Sequence, residues 1–245
     1  MNQSVGADLC VCPRQRLGIS GMTGRINEIF SSIQGEGIYF GHKQVFVRFS
    51  GCNLACGYCD TEFESFQEYD SESLLKKVQS YGPDFSCVSF TGGEPLEQKD
   101  FLKESLRLVK EKGYQTYLET NGTIPAALSE VIDAVDIVAM DIKLPSSSGF
   151  ADDCWKQHYD FLNIAKAKDV FVKAVVGVHT SVEDFIKMLD LFKSLDYHGV
   201  LVIQPNSRES GEGLDEKLAL FKRLCADYLI PSCVISQLHK LIGVR

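Results

Sequence analysis

Six short runs of apolar and β-branched residues, at 45–49, 87–90, 116–119, 137–141, 170–176 and 200–204, alternate with longer stretches of helical periodicity. Strands that are apolar almost throughout, and not only at every second position, must be covered on both faces. That is the pattern of βα units around a parallel sheet. A chain of 245 residues can close such units into one domain without splitting. The expected fold is a single α/β domain, an incomplete (βα)6 TIM-like barrel whose open side is closed by the N-terminal segment and the C-terminal tail. The domain is expected over 25–245, with 1–24 as a loosely ordered extension.

The helices carry their own start and stop signals. One begins at Ser71, places Leu74, Leu75 and Val78 on one side, and stops at Gly82 and Pro83; another runs from Asp100 through Val109 and stops at Gly113. Thr180 and Glu183 have the spacing of a capping box ahead of Phe185, Ile186 and Leu189, which predicts a helix start there. The Ser-rich stretch 145–149 reads as a βα loop.

Charge and cysteine usage narrow the function. A formal net charge of −8 argues against a broad basic surface, so a small substrate is expected and nucleic acid is not. No apolar run approaches the roughly 20 residues needed to cross a bilayer, and the expectation is a soluble protein with no membrane partner. Residues 1–24 hold Cys10 and Cys12 but no continuous apolar stretch, and Asp8 stands where a secretory leader would be basic. The nine cysteines are an odd, uneven set with three inside residues 52–59, which suits a reducing cytoplasm and metal binding better than a disulfide scaffold. A homodimer is expected from the frequency of that state among soluble proteins.

Cys52, Cys56 and Cys59 directly follow the first strand, at the end of a parallel barrel where active sites lie. Three cysteines can ligate three irons of a [4Fe-4S] cluster and leave the fourth open, whereas a structural zinc or closed cluster needs four protein ligands. The alternative is a zinc site completed by a remote cysteine or histidine, such as Cys87 or His42. Gly92-Gly93-Glu94-Pro95 follows the second strand, where glycines let backbone approach a ligand closely. With the cysteine triple, this motif resembles the radical S-adenosylmethionine (SAM) superfamily. Ser32-Ile33-Gln34-Gly35-Glu36-Gly37, Val47-Arg48-Phe49, Cys59-Asp60-Thr61 and Gln237-Leu238-His239-Lys240 are similar to the 7-carboxy-7-deazaguanine synthases, from about Glu28 to the C-terminus.

That resemblance implies a reaction: 6-carboxy-5,6,7,8-tetrahydropterin becomes 7-carboxy-7-deazaguanine with loss of ammonia, by radical ring contraction, on the route to queuosine and related deazapurines. It implies a [4Fe-4S] cluster, SAM and Mg2+ as cofactors and a flavodoxin-like electron donor as partner. Position by position, it assigns Cys52, Cys56 and Cys59 to the cluster and Thr61 to magnesium. SAM would meet Tyr58, Asp60, Gly93, Glu94, Asp141, Ile142, Lys143, Gln204, Pro205, Asn206 and Ser207. The pterin would meet Ile33, Gln34, Gly35, Glu36, Arg48, Thr91, His239 and the C-terminal Arg245. Asp141-Ile142-Lys143 and Gln204-Pro205-Asn206-Ser207 depart from the family's more usual Ser-Pro-Lys and Gln-Pro-x-Asp. For Arg48 the plain alternative is a salt bridge along a strand. Glu119-Thr120-Asn121-Gly122 ends the third expected strand, where it can line the cavity, but Asn-Gly also makes a tight turn without strain, and the segment is left outside the site. Rival functions are a glycyl-radical-enzyme activating protein and a non-catalytic iron-sulfur or zinc module.

Overall fold

The computed structural model describes residues 22–59, 65–149, 154–238 and 243. Among these residues nine strands form one sheet: β1 (Thr23–Ile33), β2 (Lys43–Phe49), β3 (Gln67–Asp70), β4 (Cys87–Gly92), β5 (Gln115–Thr120), β6 (Ile137–Asp141), β7 (Asp169–Val176), β8 (Leu201–Pro205) and β9 (Ser232–Val234). Their order is β3-β1-β2-β4-β5-β6-β7-β8-β9. The strands from β2 through β9, β3 excepted, run parallel, while β1 is antiparallel to both β2 and β3. The six expected strands are β2, β4, β5, β6, β7 and β8, and the sheet is an open partial barrel. Three short or polar strands at its two edges were not legible in the sequence. The first of them begins at Thr23, two residues ahead of the expected domain start.

Among the described residues, seven α-helices join or flank the strands: α1 (Ser71–Gln79), α2 (Lys99–Glu111), α3 (Pro125–Val131), α4 (Pro145–Ser148), α5 (Trp155–Ala165), α6 (Val182–Ser194) and α7 (Glu212–Asp227). None of the helices among the described residues is long and apolar enough to cross a membrane. Asp70 caps α1 by accepting from Ser73 N at 2.8 Å, and Leu74, Leu75 and Val78 are buried as the spacing predicts. Two local readings need correction. Ser181, not Thr180, caps α6, its hydroxyl accepting from Asp184 N at 3.0 Å, while Thr180 Oγ1 accepts from Gly177 N at 2.8 Å. Both pairs have the same spacing, so only the path of the β7 exit decides between them. The stretch 145–149 is not a loop but the short helix α4, ended by Gly149 at φ 79°.

Period-2 alternation sorts each parallel strand into two faces. Val88, Phe90, Leu118, Val138, Met140, Val172, Ala174, Leu201 and Ile203 belong to the large core that includes the helices' buried side chains. The opposite face carries a smaller apolar cluster of Cys87, Tyr117, Ile137, Ala139, Phe171 and Val202. Two residues further along the same face come Glu119 on β5, Asp141 on β6, Lys173 on β7 and Gln204 on β8. The inner face is therefore apolar at one end and polar at the C-terminal end, where the cysteine loop also emerges.

Candidate active site

Two loops are clamped together at the C-terminal ends of β2 and β4. Gly93 N donates to Phe49 O at 3.0 Å and Glu94 N to Gly51 O at 2.9 Å. Gly92 makes the approach feasible: at φ 120° a Cβ there would lie 2.5 Å from both the nitrogen and the oxygen of Phe49.

The Glu94 side chain turns away from the ligand side and into the scaffold. It is fully buried and accepts from Leu96 N at 3.1 Å, Thr120 Oγ1 at 2.9 Å and Asn121 N at 2.7 Å. Burial pushes its carboxyl up to about 7, against the opposing pull of those donors.

The cysteine loop is held from several sides. Gly57 N donates to Ser148 O at 2.9 Å, and the Arg208 guanidinium reaches Gly57 O at 3.3 Å and Cys59 O at 2.9 Å. Cys52 Sγ receives Leu54 N at 3.4 Å and Asn121 Nδ2 at 3.8 Å. Burial raises the Cys52 and Cys56 thiols above their usual range, so a metal there must displace protons.

Among the described residues, no three His, Cys, Asp or Glu side chains converge tightly enough to hold a single metal ion. Among the described residues, the cavity wall carries Cys52, Cys56 and Cys59 but no histidine and no fourth cysteine. Cys87, five residues before Gly92 on β4 and so about 16 Å from it along the strand, is buried among Tyr117 and Ile137 at the other end of the barrel. His42 precedes β2 at that same end. Neither completes a zinc site with the triple. Three thiols with N–H donors at one of them suit an iron-sulfur cluster with one open iron.

The cavity, about 200 Å³ in volume, is walled beyond the cysteines by the polar row of the inner face. Lys143 stands 3.1 Å from Asp141 Oδ2, with its ammonium 5.2 Å from the Tyr58 ring centroid. Lys173 stands 3.2 Å from the same Asp141 oxygen and is ion-paired with Glu36. Glu36 Oε1 accepts from Gln237 Nε2 at 2.5 Å. Among the described residues, Asp141 Oδ1 and Gln204 Oε1 are buried acceptors without a hydrogen-bond partner, and both residues wall the cavity. Such atoms take donors from ordered water or a ligand, and the SAM amine and hydroxyls are donors of that kind.

The expected site residues divide in three. Glu36, Arg48, Tyr58, Thr91, Gly93, Asp141, Lys143, Gln204, Pro205, Asn206 and Ser207 stand with the three cysteines on one cavity wall. Ile33, Gln34, Gly35, Glu94 and Ile142 are not on that wall. Gln34 is buried behind it, donating to Glu119 Oε1 at 2.7 Å and accepting from Glu36 N at 3.0 Å. Gly35 O accepts from Leu238 N at 2.8 Å, and Ile142 N donates to Lys173 O at 2.8 Å. Asp60, Thr61, His239 and Arg245 lie outside the described residues. Arg48 walls the cavity and also donates to Glu28 Oε1 at 2.9 Å, the expected salt bridge along the strands.

Sequence reasoning missed Lys173, Tyr117, Phe171 and Glu119. A signal for the lysine existed: it is the one charged residue within the run 170–176. Glu119, set aside with its turn, accepts from both Gln34 and Thr91, the latter at 2.6 Å.

A buried histidine supports this wall from behind. His158 Nδ1 faces Gly122 O at 3.0 Å and must donate there, so Nε2 is free to accept from Lys143 N at 3.2 Å. Burial lowers its pKa from 6.5 to about 4, and only the neutral ring can make both bonds. With the folded value depressed, its contribution to stability is complete above about pH 6.5 and lost as pH falls through 4. Unfolding free energies measured from pH 7 to 4 should fall by about 3 kcal/mol more in the wild type than in His158→Gln. Parallel profiles would count against this role.

Comparison with known proteins agrees with the geometry. The radical SAM superfamily model matches residues 46–205. A 7-carboxy-7-deazaguanine synthase of Geobacter sulfurreducens is 36% identical, over 89% of this chain and 96% of that protein. One from Methanothermobacter thermautotrophicus is 41% identical, over 91% and 99% respectively. The crystal structure of QueE from Escherichia coli matches with a TM-score of 0.62 at 22% identity, covering 88% of this chain and 95% of that one, and shows the shared fold. Three thiols beside a glycine cradle on one cavity wall, and relatives that align along nearly their whole length, place this chain in the radical SAM superfamily, within the family of the 7-carboxy-7-deazaguanine synthases.

Proposed function

We propose that this protein converts 6-carboxy-5,6,7,8-tetrahydropterin into 7-carboxy-7-deazaguanine and ammonia. The observation that carries this reading is the single cavity in which the cysteine loop, the Gly92-Gly93 cradle and the Glu36 loop meet. When bound, the cluster would supply the one electron for reductive cleavage of SAM, with methionine as the other product, and so the radical chemistry that begins with hydrogen removal at C6 of the pterin. The chain's own work is placement.

Cys52, Cys56 and Cys59 hold the cluster. The Gly93 backbone, Asp141, Lys143 and Gln204, with Tyr58, Pro205, Asn206 and Ser207 beside them, receive SAM. The unpartnered Asp141 Oδ1 and Gln204 Oε1 take its donors. Glu36, Arg48 and Thr91 face the pterin: Glu36 suits its ring N–H groups, and Arg48 suits its carboxylate as a planar fork. Ile33, Gln34 and Gly35 act through the loop they build, and Glu94 and Ile142 through the scaffold. Tyr117 and Phe171 form the apolar floor that keeps water from the reacting atoms. The same reading gives Thr61 to Mg2+, Asp60 to SAM, and His239 and the Arg245 carboxylate to the pterin. It includes a flavodoxin-like electron donor and a homodimer.

The test is anaerobic. Protein reconstituted with iron and sulfide is reduced with dithionite, given SAM, Mg2+ and the carboxytetrahydropterin, and assayed for 7-carboxy-7-deazaguanine by mass spectrometry. Product formation is the expected result. Cleavage of SAM with the pterin untouched would remove the substrate assignment and leave the radical chemistry. No cleavage by fully loaded protein would remove both.

A further inference from the structure

Lys173 has no role in binding either ligand, yet its ammonium is committed to two carboxylates of the cavity. It rises from β7 between Phe171 and Val175 on the inner face, with 14% of its side chain exposed. Its ammonium pairs with Glu36 Oε2 and stands 3.2 Å from Asp141 Oδ2. Burial works against its charge, but the carboxylates of Asp141, Glu36 and Glu119 prevail and hold its pKa above the ordinary lysine value. An ammonium this buried is costly unless each partner is kept. The result is a line of five side chains, Gln237, Glu36, Lys173, Asp141 and Lys143. It runs from Gln237, after β9, through Glu36 in the β1–β2 connection to Lys143, whose ammonium lies 5.2 Å from the Tyr58 ring centroid.

The atoms used along this line matter. Both lysines take Asp141 Oδ2, which leaves Oδ1 buried and unpartnered. A ligand donor arriving at Oδ1 therefore does not compete with Lys173. It fixes the carboxylate's rotation, which fixes Lys173 on Oδ2 and, through it, Glu36 Oε2. A ligand seated at Glu36 orders the same line from the other end. Whichever ligand binds first therefore fixes the carboxylate and ammonium geometry that the second meets, and the second binds more tightly.

We infer that Lys173 is a positioning residue that couples the two ligand sites of this cavity, so that a ligand on the Asp141 side tightens the binding of the ligand on the Glu36 side, and the reverse. This rests on the reading that SAM occupies the first side and the pterin the second. Linkage requires the coupling to be reciprocal, and typical couplings are about 5- to 150-fold.

The experiment measures binding, not turnover. On protein carrying its cluster and kept oxidised under anaerobic conditions, the Kd for 6-carboxytetrahydropterin is determined by calorimetry with and without saturating SAM. For the wild type, SAM should tighten pterin binding by about 5-fold or more. In Lys173→Met, which keeps the length and removes the charge, the ratio of the two Kd values should fall to within about twofold of one; Lys173→Arg should keep most of the coupling. Glu36→Gln, which breaks the same line one residue away, should also abolish the ratio and serves if Lys173→Met does not fold. A wild-type ratio near one, or a ratio unchanged in the variants, overturns the proposal. Failure of the loaded wild type to bind the pterin at all, with or without SAM, instead overturns the functional reading beneath it.

Discussion

Glu94→Ala is expected to lower the unfolding free energy of the metal-free protein by about 3–5 kcal/mol, a fall in Tm on the order of 10 °C. The carboxylate is fully buried and is the acceptor for Leu96 N, Thr120 Oγ1 and Asn121 N. Alanine removes the acceptor of all three donors at a fully buried position. Each orphaned donor costs about 1–3 kcal/mol, with some relief where the loop relaxes.

The pH dependence adds a second signature. Burial raises this carboxyl from 4.5 to about 7, so between those values the folded state holds a proton that the unfolded state releases. Its contribution is therefore fully present below about pH 4.5 and declines as pH rises through 7. The deficit of the alanine variant should be larger at pH 5 than at pH 8. Denaturant titrations at both values check it, and a variant within about 1 kcal/mol of wild type at pH 5 would show that the three donors find other acceptors.

Gly92→Ala is the second large effect, expected at about 2–6 kcal/mol. Two costs combine. The backbone sits at φ 120°, where an L side chain is strained by about 1–3 kcal/mol. The new Cβ would also lie 2.5 Å from the backbone nitrogen and oxygen of Phe49, atoms that cannot swing aside as a side-chain tip could, and wedging packed elements apart costs about 1–3 kcal/mol more. Gly92 is paired with Phe49 in the β2–β4 ladder, so the displaced strand is the one that leads into the cysteine loop.

Iron content after anaerobic reconstitution should therefore fall together with stability. Gly41→Ala is the control: its φ is 85°, but nothing lies within 4 Å of its added Cβ, so only the backbone cost remains. If Gly92→Ala matches Gly41→Ala in both stability and iron content, the close approach is not what holds the two loops together.

The sequence by itself determined the features that depend on neighbours along the chain. Strands apolar throughout marked β2, β4, β5, β6, β7 and β8, because one face lies under the helices and the other forms the inner cluster around Tyr117 and Phe171. The spacing of Cys52, Cys56 and Cys59, and the Gly92-Gly93 cradle, could be read because both motifs are local and directly follow strands. The edge strands could not. β3 is Gln-Glu-Tyr-Asp, which carries no apolar alternation and is a strand only because β1 is there to pair with it.

Tertiary structure alone decided which polar side chains meet. Lys173 finds Glu36 across 137 residues, and Gln34 finds Glu119 across 85. Neither pairing has a periodicity to announce it, because both follow from the register of parallel strands that brings distant segments to one end of the barrel. The same register turned Glu94 from an expected ligand contact into the buried acceptor that joins two loops. Period and spacing report on a residue's own element; which charges it meets is fixed by the sheet that lays those elements side by side.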